Sequence, residues 1–136
     1  MTEHVYGKDL AFYKLEIARD EIESAELLFG HSKYKAANNR AYYAIYYALT
    51  AVLCMEPISF KKHKDTIAYF NKNYVHAGLF SNELGRKISK AEKIRNASDY
   101  NDFYVAGKDE ASGQIKTAKE LVQSVEIFLN NQTDDQ

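Results

Sequence analysis

The chain has 136 residues, one cysteine, one proline and a formal net charge of −1 at pH 7. This length fits one domain with a sizeable core, and a single cysteine excludes both an internal disulfide and a cysteine-based zinc site. The nearly balanced charge means that binding to nucleic acid or to an anionic surface requires local patches. We expect a cytoplasmic protein with no membrane contact, because the N-terminus lacks a signal pattern and the longest apolar run, 41–55, is too short to span a bilayer.

Apolar residues recur at helical spacing almost throughout the chain, and no segment shows a convincing strand pattern. One domain over residues 1–136 is predicted, with a core of about 8–130 and a polar, frayed tail at 131–136. Short connections predict antiparallel neighbours, and therefore an all-α, up-down bundle of four to five helices. The predicted helices are about Lys8–Phe29, Tyr34–Met55, Phe60–Tyr74, Asn82–Asp99 and Asp109–Leu129.

The second predicted helix is apolar or aromatic nearly all round from Ala41 to Met55. A helix with that circumference is covered on several sides, so it should be the central element of the bundle. If the rings of Tyr43 and Tyr47 are fully buried, truncating either to alanine should cost about 3–5 kcal/mol. Pro57 forces a break soon after this helix.

Arg95 lies where a hydrophobic residue is expected. On the fourth helix, Leu84, Ile88 and Ala91 form an apolar stripe, and Arg95 falls within it at the helical period. An arginine on a core-facing stripe is costly unless it is paired and hydrogen-bonded. We therefore predict that Arg95 is partly buried and paired with a carboxylate, of which Asp99, one turn later, is the nearest in sequence.

Two further polar residues interrupt apolar faces. His63 falls within the stripe of the third helix, and Arg40 shares a face with Tyr43 at the start of the aromatic run. Each has a simple structural explanation: a histidine satisfied within the core, and an arginine that stacks on Tyr43 or pairs with a glutamate of the first helix. The alternative is that Arg40, His63 and Arg95 line one shared polar pocket.

Other chemical signals are weak. No histidine–glutamate spacing suits a metal ion and no glycine-rich phosphate loop is present, so we expect neither a metal nor a cofactor. Two basic clusters occur, and solvated surface is the ordinary explanation for both, although together they would suit an RNA backbone. The clusters are Lys61, Lys62 and Lys64, and Arg86, Lys87, Lys90 and Lys93.

Several short motifs, in this order and spacing, resemble those of HEPN-domain proteins (higher eukaryotes and prokaryotes nucleotide-binding), in the group of small prokaryotic stand-alone members. The motifs are Asn39-Arg40-Ala41-Tyr42-Tyr43-Ala44, Lys62-His63, Leu84-Gly85-Arg86, Arg95-Asn96-Ala97-Ser98-Asp99-Tyr100 and Asp102-Phe103-Tyr104. The resemblance implies a helical bundle that commonly forms a homodimer. It also implies a toxin-like role beside a minimal nucleotidyltransferase antitoxin, with RNA or a nucleotide as ligand.

Many proteins of this family are metal-independent endoribonucleases whose signature is an arginine, often an asparagine, and a histidine a few positions later. Here Arg95 and Asn96 match, but Tyr100 stands where the histidine is expected, and a phenol is a poor base at neutral pH. The resemblance leaves three alternatives. The protein binds RNA, a nucleotide or a partner without cutting; it cuts RNA with Arg95, His63 and Tyr100; or it is a structural dimer.

The candidate site residues follow from these alternatives. Those assigned to catalysis are Arg95, His63 and Tyr100, and those assigned to binding are Arg40, Tyr43, Asn96 and Asp99. For the homodimer, the fourth helix and the aromatic loop Tyr100–Gly107 are predicted to lie near the two-fold axis.

Overall fold

The computed structural model describes residues 6–132, and over that range it contains helices and no strands. A π-helical turn, Asn71–Val75, continues the third helix. The prediction of an all-α bundle is confirmed, while residues 133–136 of the predicted tail lie outside the described part. The helices are α1 (Lys8–Gly30), α2 (Tyr34–Leu53), α3 (His63–Phe70), α4 (Asn82–Tyr100) and α5 (Lys108–Asn130).

The four long helices alternate in direction. Arg19 forms an ion pair with Glu126 (3.1 Å) and Glu26 forms one with Lys119, so the two helices α1 and α5 run antiparallel. The short connections 31–33 and 101–107 make α1–α2 and α4–α5 antiparallel as well. The four long helices are therefore arranged up, down, up, down, as the sequence predicts.

The short helix α3 departs from this alternation, because it runs parallel to α2. The hydroxyl of Tyr42 lies 3.1 Å from His63 Nδ1, and the hydroxyl of Tyr46, one turn later, lies 3.2 Å from Thr66 Oγ1. Residues 54–62 must therefore return alongside α2 before α3 begins. The expectation that every pair of successive helices is antiparallel is wrong for this pair, because the intervening segment is long enough to reverse the chain.

Helix α3 also begins later than predicted. The predicted start was Phe60, whereas the helix begins at His63 and the ring of Phe60 packs against Tyr69, with 5.2 Å between centroids. Lys62 is the N-cap residue and has an extended backbone, which ends the preceding segment and begins the helix. His63 is thus a first-turn residue of α3.

Helix α2 contributes more buried residues than any other helix, which confirms its predicted central position. The buried tyrosine of its aromatic run is Tyr42, at 3% exposure. Tyr43 and Tyr47 are only half-buried. The predicted loss of about 3–5 kcal/mol on truncation to alanine required fully buried rings, so it does not apply to them.

Helix α4 approaches the π-helical turn closely at Gly85, where a Cβ atom would lie 2.9 Å from Val75 Cγ1. Val75 is buried and β-branched, so it cannot move aside freely. We expect Gly85→Ala to lower the free energy of unfolding by about 1–3 kcal/mol in urea titrations. Gly113→Ala is the matched control. It is exposed on α5 with open space around it, and should stabilise the protein by about 0.5–1 kcal/mol.

Candidate functional site

Two adjacent tyrosines of α2 form the base of the candidate site. The guanidinium carbon of Arg95 lies 5.2 Å from the ring centroid of Tyr42 and 4.9 Å from that of Tyr43, within the range of cation–π contacts. Arg95 reaches them because it is in phase with the buried Ile88 and Ala91 of α4. The helical period that makes Arg95 unusual in the sequence therefore directs it at α2.

His63 approaches the same two tyrosines from α3. Besides its contact with the Tyr42 hydroxyl, its ring meets Tyr43 edge-on at 6.3 Å and stacks nearly parallel on Tyr46 at 3.7 Å. Tyr42, Tyr43 and Tyr46 are hereafter called the tyrosine platform. Arg95 and His63 share Tyr42 and Tyr43 as neighbours, so the structure brings these two side chains into one site.

Arg40 lies against Tyr43 as well, with its guanidinium carbon 5.0 Å from the ring centroid. Its Nη1 also donates to Glu21 of α1, at 3.0 and 3.3 Å from the two carboxylate oxygens. Both structural explanations considered for Arg40 therefore hold together, since it stacks on Tyr43 and pairs with a glutamate of the first helix. Its charge is balanced by Glu21.

Arg95 Nε donates to Asp99 Oδ2 at 2.7 Å, and the Arg95 side chain is 21% exposed. The prediction of a partly buried arginine paired with Asp99 is confirmed. Burial lowers the pKa of the guanidinium, but Tyr43 and Asp99 outweigh that effect and the net pKa is raised. Arg95 thus stays charged and keeps access to solvent beside two aromatic faces.

The Arg95–Asp99 pair should contribute little to stability, because the Asp99 side chain is 38% exposed and the two residues are one helical turn apart. We expect Asp99→Ala to lower the free energy of unfolding by less than about 1 kcal/mol. Urea titration at low ionic strength measures this. A loss above about 3 kcal/mol would show that a buried guanidinium had been left unpaired, contrary to this geometry.

The bond between Tyr42 and His63 fixes which nitrogen of the imidazole faces outward. Burial, followed by the charge of Glu92, raises the pKa of Tyr42, so its hydroxyl keeps its proton. We assign the proton of the bond to Tyr42, so that His63 Nδ1 accepts, because no other acceptor for the Tyr42 hydroxyl lies within reach among the described residues. Burial, followed by the charge of Arg95, lowers the pKa of His63, so the ring is neutral at pH 7. Neutral His63 therefore presents Nε2–H, a hydrogen-bond donor.

Tyr100 and Asn96 are placed differently. Tyr100 is the last residue of α4 and is 86% exposed, and Asn96 is also exposed. Within residues 6–132 neither side chain has a hydrogen-bond or aromatic partner. Tyr100 follows Arg95 by five positions on the helix, which places them about 140° apart around the axis. The structure brings His63 to Arg95 but does not bring Tyr100 to them.

The loop after α4 is anchored at one end. Glu110 of α5 accepts hydrogen bonds from the Tyr104 hydroxyl and from Asn38 Nδ2 of α2, the latter at 3.0 Å. Burial, and then the bond to Glu110, raises the pKa of Tyr104 to about 12. The neighbouring Phe103 is 92% exposed, so the loop combines a fixed tyrosine with a solvent-facing phenylalanine.

Sequence analysis missed Tyr42 and Tyr46 as site residues. The sequence signal was their spacing, because residues four apart lie on one helix face and both can meet a ring from a neighbouring helix. Across residues 6–132, no group of three or more histidine, cysteine, aspartate or glutamate side chains is placed to hold a metal ion. Over the same range, every helix is too short or too polar to cross a bilayer.

A family model described as the HEPN domain matches residues 13–128, which is most of the chain. The chain belongs to the HEPN family. It is 29% identical to a UPF0332 protein of Thermotoga maritima, with 84% of this chain and 86% of that protein covered. Two proteins of Methanocaldococcus jannaschii, each named "Putative toxin", are also similar. One is 35% identical over 63% of this chain and 64% of its own length, and the other is 29% identical over 85% and 74%.

Proposed function

We propose that this HEPN protein is the toxin-like component of a toxin–antitoxin-type pair and that it binds RNA at the Arg95–His63 site. The observation that carries the proposal is the meeting of Arg95 and His63 on the tyrosine platform. The names of the two Methanocaldococcus jannaschii relatives support the toxin-like role. The partner implied by the family resemblance is a minimal nucleotidyltransferase antitoxin.

The chemistry of the site suits a nucleic-acid strand. Arg95 supplies a positive charge for a phosphate, and His63 supplies a neutral Nε2–H donor. The faces of Tyr43 and Tyr46 are in contact with Arg40, Arg95 and His63, so these rings position the polar side chains that meet the strand. We expect Asn96 to orient the strand and Asp99 to orient Arg95. Arg40 should hold Tyr43 in place.

A homodimer is part of the same proposal. Two large side chains in the loop after α4 are more than four-fifths exposed, namely Phe103 and Val105. Large exposed apolar side chains gathered in one place commonly anchor an interface. Light scattering at about 10 µM, where micromolar interfaces remain assembled, should give twice the mass of the chain, and a monomer at that concentration would contradict this part of the proposal.

Weak, metal-independent RNA cleavage is the second candidate function, and the proximity of His63 to Arg95 favours it. In the imidazolium form of His63 both ring nitrogens are protonated, so Nδ1–H donates to the Tyr42 oxygen and Nε2–H faces outward. The Nε2 proton would pass to the leaving oxygen, which leaves His63 neutral and protonated on Nδ1, while the attacking 2′-hydroxyl loses its proton to water and Arg95 stabilises the extra negative charge on phosphorus. Because its pKa is lowered, few molecules carry that proton at pH 7. Cleavage by this route would therefore be slow.

The experiment is incubation of the purified protein with single-stranded RNA in EDTA, with binding and cleavage measured in parallel. Wild-type protein should bind, and Arg95→Ala should bind at least about tenfold more weakly, as expected when a charged hydrogen-bond donor to phosphate is removed. Arg19→Ala on α1 is the control, because it also removes a partly exposed, ion-paired arginine. Absence of RNA binding by the wild type would leave the structural-dimer alternative instead.

A further inference from the structure

A second basic surface lies on α4, away from the tyrosine platform. Here α4 packs against the π-helical turn and leaves a groove of about 540 Å³, hereafter the α4 groove. No carboxylate lines this groove within the described part of the chain. The cationic or titratable side chains along it are His76, Arg86, Lys90 and Lys93.

The cations of the α4 groove are not engaged in holding the fold together. Arg86, Lys90 and Lys93 are exposed, and none of them forms an ion pair with any residue from 6 to 132. Lys87, on the other side of α4, shows the contrast, since it pairs with Glu83 at 3.3 Å and Glu120 at 3.0 Å. With a net charge of −1 over the whole chain, this segregation of positive charge is local.

Hydrogen-bonding groups accompany the charges. Asn71 of the π-helical turn donates to Ser89 Oγ at 3.2 Å, and its own Oδ1, a buried acceptor, has no hydrogen-bond partner among the described residues. Gly85 allows the two elements to approach closely at this point, because any side chain there would meet Val75. The groove is therefore polar and positively charged along one wall.

The residues that continue the groove point to the kind of ligand. Arg86, Lys93 and Tyr100 are seven residues apart and lie in one row along α4, spanning roughly 21 Å at 1.5 Å per residue. The row thus runs from two cations to a solvent-facing ring. Cations followed by exposed aromatic rings suit single-stranded nucleic acid, whose phosphates and bases alternate along the strand.

We infer that the α4 groove binds the phosphate backbone of single-stranded RNA and that Tyr100 stacks on one of its bases. The inference rests on the proposed function, which supplies RNA as the ligand. It adds a contact surface outside the Arg95–His63 site, and it gives Tyr100 a role that its exposed position permits. An acidic protein surface would engage the cations but would not need the exposed ring.

The test is fluorescence anisotropy with a labelled single-stranded RNA of about 20 nucleotides, in EDTA, at several salt concentrations. The paired variant Arg86→Gln/Lys93→Gln should bind more weakly. The slope of its plot of log affinity against log salt concentration should be shallower by about 1.4. This is about 0.7 for each of the two phosphates that lose a cationic partner. Lys33→Gln/Lys35→Gln, which removes two exposed lysines at the start of α2, should match the wild type. Thermal melting verifies that each variant folds.

Tyr100→Ala distinguishes stacking from charge. It should weaken binding about fivefold or more while leaving the salt dependence unchanged, because stacking releases no counterions. If the Arg86→Gln/Lys93→Gln protein keeps the wild-type affinity and slope, the groove does not contact RNA, although the proposed function stands. If wild-type protein binds no RNA, the proposed function fails and this inference fails with it.

Discussion

Tyr42→Ala is expected to lower the free energy of unfolding by about 3–5 kcal/mol, the largest stability effect of any substitution in the site. The ring is 3% exposed and lies between α2, α3 and α4 through contacts with His63 and Arg95. Truncation would leave a cavity where the three helices meet, together with an imidazole and a guanidinium that are each short of a partner. Urea denaturation of the purified variants measures the change.

The neighbouring tyrosines provide the controls. Tyr43→Ala and Tyr47→Ala should each cost clearly less than Tyr42→Ala, because their rings are only half-buried and water already reaches them. Tyr42→Phe should cost about 1 kcal/mol, since it removes one hydroxyl and keeps the ring. If Tyr42→Ala and Tyr43→Ala lowered the free energy of unfolding equally, Tyr42 would not be the more deeply buried of the two rings, contrary to the structure.

In the cleavage assay, His63→Ala is expected to lower the rate by about 100-fold or more, the usual contribution of a positioned proton donor. Tyr100→Phe should change the rate only a few-fold, because Tyr100 lies apart from Arg95 and its hydroxyl has no partner among the described residues. The comparison is made with single-stranded RNA in EDTA under identical conditions. A Tyr100→Phe protein as impaired as His63→Ala would place the proton transfer on the phenol.

The pH dependence distinguishes an acid from a base. Burial and Arg95 lower the pKa of His63, so the imidazolium becomes abundant only below the ordinary histidine range. If His63 donates a proton, the cleavage rate rises as the pH falls towards that lowered pKa. A rate that instead rises with pH through this range would require His63 to act as a base, which the bond from Tyr42 to Nδ1 opposes.

The helices and the unusual position of Arg95 were accessible from sequence because they depend on local periodicity. Leu84, Ile88 and Ala91 fix the phase of α4, and that phase places Arg95 on the inner face. The partner Asp99 was found for the same reason, since residues one turn apart are neighbours on any helix.

A site shared by His63 and Arg95 was one alternative from the sequence, but local periodicity could not decide it. It depends on the return of residues 54–62 along α2, and a segment without periodic pattern gives no indication of its direction. The same reversal makes Tyr42 and Tyr46, rather than Tyr43 alone, the contacts of His63. Sequence reasoning therefore fell short where a contact between distant residues depends on the direction of a connecting segment.

The central claim is that Arg95 and His63 form one site, and an NMR pH titration of the His63 ring protons tests it most directly. The chain has four histidines, so His63→Gln assigns the resonance. In the wild type the pKa of His63 should lie below its ordinary value, and Arg95→Ala should raise it because a nearby positive charge is removed. Arg86→Ala, on the exposed face of α4, should leave it unchanged. A His63 pKa that does not respond to Arg95→Ala would contradict the shared site and, with it, the proposed function.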